Sequence, residues 1–230
     1  MKVVILAGGF GTRLSEYTRR IPKPMVKIDR LPIIERIMKI YQKYGYNKFI
    51  CATGYKHSVI KKYFKNKIYK NNVKVVYTGL KTATGGRLLR LKKILKSERF
   101  FLTYGDALAD INIKKLLRFH ISGNKIATVT AVHPIARFGE IKIKNNLVIN
   151  FKEKPQTNKD WINGGFFVFE PAILKYIKDS QTMLEEKPLE ILSKQKNILA
   201  YKHHSFWHCM DNRRDKEILD KYIRENKKTF

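Results

Sequence analysis

Cysteine is nearly absent from this chain: Cys51 and Cys209 are the two in 230 residues. Two thiols so far apart make neither a disulfide scaffold nor a cysteine-rich zinc site. Cys51 lies in the apolar run Phe49-Ile50-Cys51-Ala52 and reads as a small core residue. Acidic residues are also scarce, 19 against 48 Lys and Arg, for a formal net charge of +29. No apolar run reaches the roughly 20 residues of a membrane-spanning helix. Met1 leads into an apolar strand rather than a signal peptide, so the expected compartment is the cytoplasm, with no membrane partner. Helix-turn-helix, zinc-finger and RNP patterns are missing, and there is no basic tail. A nucleic-acid-binding protein is therefore an alternative carried by charge alone. Solvated lysines on helix faces account for most of that charge, and a positive field draws nucleotides and sugar phosphates equally well.

What is present is a globular composition, 43% hydrophobic and 12% aromatic, and a distinctive start. Val3-Val4-Ile5-Leu6 is a short apolar run of the kind buried in a parallel sheet. Ala7-Gly8-Gly9-Phe10-Gly11-Thr12-Arg13-Leu14 follows it. Glycines there allow a tight turn whose free N–H groups form an anion-binding concavity. Arg13 adds a planar, permanent charge suited to phosphate. Lys23 stands between Pro22 and Pro24, which stiffen its loop. The stretch reads as a triphosphate site. It is not the dinucleotide fingerprint, whose third glycine would fall on Leu14, nor a P-loop, which needs Lys and Ser or Thr directly after the last glycine.

Further along, helical spacing marks 32–44 and 56–64, and 85–96 carries Leu88, Leu91 and Leu95 inward. Strand patterns mark 48–53, 73–77 and 100–104, the last ending at Gly105-Asp106. Asn112 is placed to cap a helix through Ser122. The expected fold class is α/β, a doubly wound, mostly parallel sheet, with ligands at the carboxyl ends of strands. The glycine loop and Asp106 then face one cleft. After residue 125 the pattern becomes richer in strand: 127–132, a hairpin turning at Asn145-Asn146, 161–169 and 199–203, with helices over 171–178, 185–194 and 212–226. No internal repeat or linker divides the chain, so 1–230 is expected to be one domain. Asp106 is the first candidate for a Mg²⁺ ligand, because Mg²⁺ takes one or two carboxylates and keeps water and substrate phosphates. Spacing does not separate Asp211, Asp215 and Asp110 as its companion, and Asp110 reads best as a helix-entry residue.

Leu6-Ala7-Gly8-Gly9 through Leu14, with Pro22-Lys23-Pro24-Met25, resembles the signature of the sugar-1-phosphate nucleotidyltransferases. Thr84-Gly85-Gly86-Arg87-Leu88, Thr103-Tyr104-Gly105-Asp106, Ile162-Asn163-Gly164-Gly165-Phe166-Phe167 and Phe206-Trp207 with Met210-Asp211 are similar to the glucose-1-phosphate cytidylyltransferase branch. The likeness runs from Met1 to about Asp220. It implies that the oxygen of a sugar-1-phosphate attacks the α-phosphorus of a nucleoside triphosphate and pyrophosphate leaves, with Mg²⁺ as cofactor. It implies a nucleotide-binding half, 1–124, and a smaller, β-rich sugar-binding half, 125–230. CTP is the nucleotide it favours and glucose 1-phosphate the acceptor.

The resemblance also implies roles. Lys23 neutralises the α-phosphate, Arg13 holds the leaving phosphates, and Asp211 joins Asp106 on the metal. Leu6, Ala7, Gly8, Gly9, Gly11 and Thr12 line the nucleotide. Thr84, Gly85 and Arg87 lie near the base, Arg87 within reach of the cytosine carbonyl or a phosphate. Tyr104, counted with the nucleotide, and Trp207 are aromatic walls of the site or core residues. Gly139, Glu153, Lys154, Asn163 and Gly164 take the sugar phosphate. Two features depart from the branch. Ala107 stands where glycine is usual, and the chain is shorter by roughly fifteen residues just before Val73 and between Val76-Tyr77 and Thr84, as if a surface excursion ahead of the Val73 strand were missing. The departures keep open another nucleotide or acceptor, such as GTP with a heptose 1-phosphate or a non-sugar phosphate, and also self-association into a homo-oligomer.

Overall fold

The computed structural model describes residues 1–65, 72–134, 140–152 and 160–226. Its centre is a seven-stranded sheet in the order Ile198–Lys202, Ala127–Val132, Ile162–Phe169, Phe100–Tyr104, Lys2–Ala7, Phe49–Thr53, Val73–Tyr77. Lys2–Ala7 pairs in parallel with Phe49–Thr53 and Phe100–Tyr104, and Phe49–Thr53 pairs in parallel with Val73–Tyr77. Ile198–Lys202 is parallel to Ala127–Val132. Ile162–Phe169 runs antiparallel to both its neighbours, so the sheet is mostly parallel and continuous across residue 125.

The first strand shows why the fold is doubly wound. Val3, Ile5 and Ala7 enter one core with Ile34, Ile37 and Tyr41 of the helix Ile33–Gln42, Leu116 of Ile113–Gly123 and Leu219 of Arg213–Glu225. Val4 and Leu6 enter a second core, on the other face, with Leu88, Leu91, Leu95, Ile173 and Leu192. A strand buried on both faces has no polar side to show, hence its uninterrupted apolar run.

Several local expectations are met by chemistry the sequence displays. Asn112 caps Ile113–Gly123 by accepting from the Lys115 N–H at 3.0 Å, and Asn124 closes the helix in the left-handed region. Asn145 and Asn146 both have positive φ, as a two-residue hairpin turn between Glu140–Lys144 and Leu147–Lys152 requires. Elsewhere the pattern overreached. The helix expected over 85–96 is two, Thr84–Arg90 and Lys92–Leu95, because Leu91 N–H bonds back three residues to the Leu88 carbonyl and tightens the turn. The segment beginning at Pro171 is a 3₁₀ turn, Pro171–Tyr176, rather than an α-helix. A small antiparallel ribbon, Ala107–Ala109 with Trp207–Cys209, carries too few residues to show a period. It nevertheless positions the site described next.

Candidate active site

The glycine loop opens into a cleft of about 600 Å³. Leu6, Ala7, Gly8, Gly9, Gly11, Thr12, Arg13, Lys23, Thr84, Arg87, Tyr104, Asp106, Asn163 and Asp211 all line it, as do Trp207 and Cys209. Residues 100 to 200 apart in sequence thus share one wall, brought there by strands that end on the same side of the sheet. Gly139, Glu153 and Lys154 lie outside the described residues.

The short ribbon brings the carboxylates together. Pairing Cys209 with Ala107, and bonding Met210 N–H to the Asp106 carbonyl at 2.8 Å, sets Asp106 and Asp211 side by side. Ala107, next to Asp106, is buried and lines the cleft. Lys23 Nζ donates to Asp106 Oδ2 at 2.7 Å and to Asp211 Oδ1 at 2.8 Å, while Arg13 donates to Asp211 Oδ2 at 2.6 Å. Burial by itself would push the Lys23 ammonium down, but Asp106 and Asp211 outweigh it and the net shift is upward. Asp211 answers in the opposite sense: burial opposes its charge, and Lys23 and Arg13 still hold it below the usual carboxylate range. Asp215, which spacing could not separate from Asp211, has a different task. Its Oδ2 accepts the backbone N–H of Asp211 at 2.8 Å and of Asn212 at 3.0 Å, capping the last helix and orienting Asp211. Asp110 faces His203 at 3.1 Å and accepts from Ser205, a bridge between loops.

Arg87 lines the cleft, and its hydrogen bonds go to the protein. It is buried, and its guanidinium donates to the carbonyls of Gly8, Thr53 and Gly79 at 3.1, 3.1 and 2.9 Å and to Thr78 Oγ at 2.8 Å. It therefore clamps three loops at strand ends, and its fork is turned to the protein. A Cβ on Gly8 would sit 2.1 Å from the Arg87 Cζ, so the clamp demands glycine there. Gly85 likewise faces protein: an added Cβ would meet the Thr182 carbonyl at 2.7 Å, so its smallness admits a neighbouring loop.

At the acceptor end, the strand Ile162–Phe169 carries a register shift between Asn163 and Phe167, and Gly165 has φ +78°. That irregularity lifts Asn163 toward Tyr104. Asn163 Nδ2 donates to the Tyr104 hydroxyl at 3.0 Å, and its Oδ1 accepts from Gly165 N–H at 2.8 Å. The Gly164 carbonyl accepts from Trp207 Nε1 at 2.7 Å, which fixes the indole as a wall of the cleft. Two groups escaped the sequence reading. The Cys209 thiol lies within 4.8 Å of ligand atoms on both Asp106 and Asp211. Glu185 receives the hydroxyls of Tyr104 and Thr84. Neither has a local sequence signal, since the partners of Glu185 are 81 and 101 positions away.

A family model of nucleotidyl transferases matches residues 2–214. A glucose-1-phosphate cytidylyltransferase of Salmonella typhimurium is 42% identical, with 96% of this chain and 95% of that protein covered. A D-glycero-alpha-D-manno-heptose 1-phosphate guanylyltransferase of Campylobacter jejuni is 34% identical over 75% of this chain and 77% of its own length. The crystal structure of HddC from Yersinia pseudotuberculosis superposes with a TM-score of 0.76 at 24% identity, covering 96% of this chain and 99% of that one, a likeness of fold. Sequence and architecture agree along nearly the whole chain, and it belongs to the nucleotidyl transferase family.

Proposed function

We propose that this chain transfers the cytidylyl group of CTP to glucose 1-phosphate, giving CDP-glucose and pyrophosphate, with Mg²⁺ as its metal. The observation that carries the reading is Lys23, held by Asp106 and Asp211 at 2.7 and 2.8 Å beside the glycine loop. The near full-length identity to a glucose-1-phosphate cytidylyltransferase supports the choice of substrates.

The donor set fits a hard divalent ion. Two carboxylates from adjacent strand ends face the cleft, and Mg²⁺ is commonly held by one or two carboxylates with water and phosphate oxygens. Burial and the surrounding carboxylates push the Cys209 thiol up, and a hard ion such as Mg²⁺ takes carboxylate oxygen rather than sulfur. Asp106 and Asp211 would hold the ion. When bound, it withdraws electron density from the phosphate oxygens.

The chain's own residues do the rest by position and charge. Gly8, Gly9 and Gly11 line the cleft, where their backbone N–H groups would receive the triphosphate. Lys23, protonated throughout the neutral range, neutralises the α-phosphate as the acceptor's phosphate oxygen attacks the phosphorus. Arg13, 70% exposed at its side chain, would exchange Asp211 for the pyrophosphate as the bond from the α-phosphorus to the bridging oxygen breaks. No covalent intermediate on the protein is needed. Effective concentration and charge neutralisation supply the rate.

The test is pyrophosphate release with Mg²⁺ when CTP, UTP, dTTP, GTP and ATP are crossed with a panel of sugar 1-phosphates. Release confined to CTP with glucose 1-phosphate is the expected result. Release with GTP and a heptose phosphate instead would move the specificity and overturn this choice of substrates.

A further inference from the structure

Glu185 lies outside the cleft wall, two residues before the helix Lys187–Lys194, and nothing in the reaction scheme uses it. Yet both its carboxylate oxygens point back at residues of the cleft. Oε1 accepts from the Tyr104 hydroxyl at 2.6 Å, and Oε2 accepts from Thr84 Oγ at 2.5 Å.

The direction of every bond in this chain of contacts follows from the chemistry of the groups. A carboxylate only accepts. The Tyr104 hydroxyl is therefore the donor in its bond to Glu185. What the phenolic oxygen has left is an acceptor, and Asn163 must therefore turn its NH₂ toward it. Gly165 N–H, arriving at 2.8 Å, fixes the carbonyl end of the same amide. The amide of Asn163 is thus locked in one of its two orientations, with one N–H and one oxygen lone pair left for a ligand. On the other arm, Thr84 Oγ donates to Glu185 and accepts the Leu184 N–H at 2.8 Å, which pins the start of the helix Thr84–Arg90. Gly165, whose absent Cβ would lie 2.5 Å from Tyr104 Cδ2, is what lets the ring approach.

The geometry points to Glu185 as a positioning residue for both substrates. One oxygen orients the Asn163 amide toward the sugar phosphate through Tyr104, and the other fixes Thr84 on the nucleotide side. The inference rests on the reading of Asn163 and Thr84 as acceptor-side and nucleotide-side residues.

Each arm can be cut alone. Tyr104→Phe keeps the ring and severs the sugar arm. It should raise the sugar-phosphate KM about tenfold and leave the nucleotide KM within about twofold. Thr84→Val should show the reverse split. Glu185→Gln should raise both, because an amide supplies a donor where two hydroxyls already donate. In Glu185→Gln/Tyr104→Phe the sugar-phosphate KM should be no worse than in the worse single variant. Equal rises in both constants for Tyr104→Phe, or multiplying losses in the double variant, would overturn the assignment. Should Glu185→Gln not fold, the two single-arm variants still give the split. Constants are taken with whichever pair the wild type turns over, so a change of substrate leaves the test intact. A substrate-free check is urea unfolding of the same cycle. Shifts in the midpoint should be non-additive, and strict additivity would remove the relay whatever the substrates are.

Discussion

Arg87 and Lys23 are both buried cations beside the glycine loop, yet they sit in opposite company. Arg87 meets three carbonyls and a hydroxyl, all neutral, and burial pushes its guanidinium down. Lys23 meets two carboxylates, and its ammonium is pushed up. A guanidinium offers five donors in a fixed fork and can satisfy several loop carbonyls at once, so it serves as architecture. An ammonium at the tip of a flexible stem can exchange its carboxylates for phosphate oxygens. The difference teaches that burial of a cation does not by itself mark a catalytic residue. The charge of its partners does.

Breaking the Lys23 end should have the largest effect. Lys23→Ala is expected to lower turnover about 10³-fold, the cost of losing one preorganised charge at a phosphoryl centre. Circular dichroism should stay close to wild type, and activity within tenfold of wild type would end the catalytic assignment. Asp106→Asn tests the same end by its carboxylate and should abolish Mg²⁺-dependent turnover. The Arg87 end should fail by stability instead. Arg87→Ala takes a donor from the Gly8, Thr53 and Gly79 carbonyls, of which Gly8 keeps the Tyr55 N–H and Thr53 the Thr78 N–H, and a loss of about 3 kcal/mol is expected in urea unfolding. A variant that kept its midpoint but lost turnover would reverse the comparison.

The glycines sharpen it further. Gly8→Ala drives a methyl into the guanidinium and should cost about 1–3 kcal/mol. Gly9→Ala, with nothing within 4 Å of its added Cβ, should change stability by less than about 0.5 kcal/mol. Acid titration gives the smallest but most selective contrast. Asp211 is held below its unfolded value, near 3.9 for an aspartate. Its contribution is therefore present above about pH 4 and lost as pH falls through the depressed folded value. Asp211→Asn should lie below wild type at neutral pH and converge with it in acid. Arg87→Ala has no ionisable partner to protonate and should run below wild type by a near-constant margin.

Much of the fold was legible because burial writes short periods into the chain. Val73–Tyr77, Phe100–Tyr104 and Ala127–Val132 emerged with the expected bounds, each from a run of apolar or alternating residues. The cleft was legible through its loops, since glycines and Lys23 cluster within 23 positions of the start. The three-residue ribbon at Ala107–Ala109 was not, and with it went the means to choose among three aspartates. The partners of Arg87 were hidden for a related reason: a string of residues names a cation but not what it meets.

What the sequence determined by itself was local and periodic: a two-faced apolar first strand, a glycine turn after it, asparagine caps, a type of sheet. These depend on neighbours a few residues apart, and backbone sterics and side-chain burial act at that range. The tertiary structure alone decided that Asp211 rather than Asp215 faces Lys23, that Arg87 clamps loops, and that Glu185 reaches Tyr104 and Thr84. Those outcomes join groups about 80 to 190 positions apart. They depend on which strands lie side by side and where each one ends, a choice made by packing the whole sheet against both its cores.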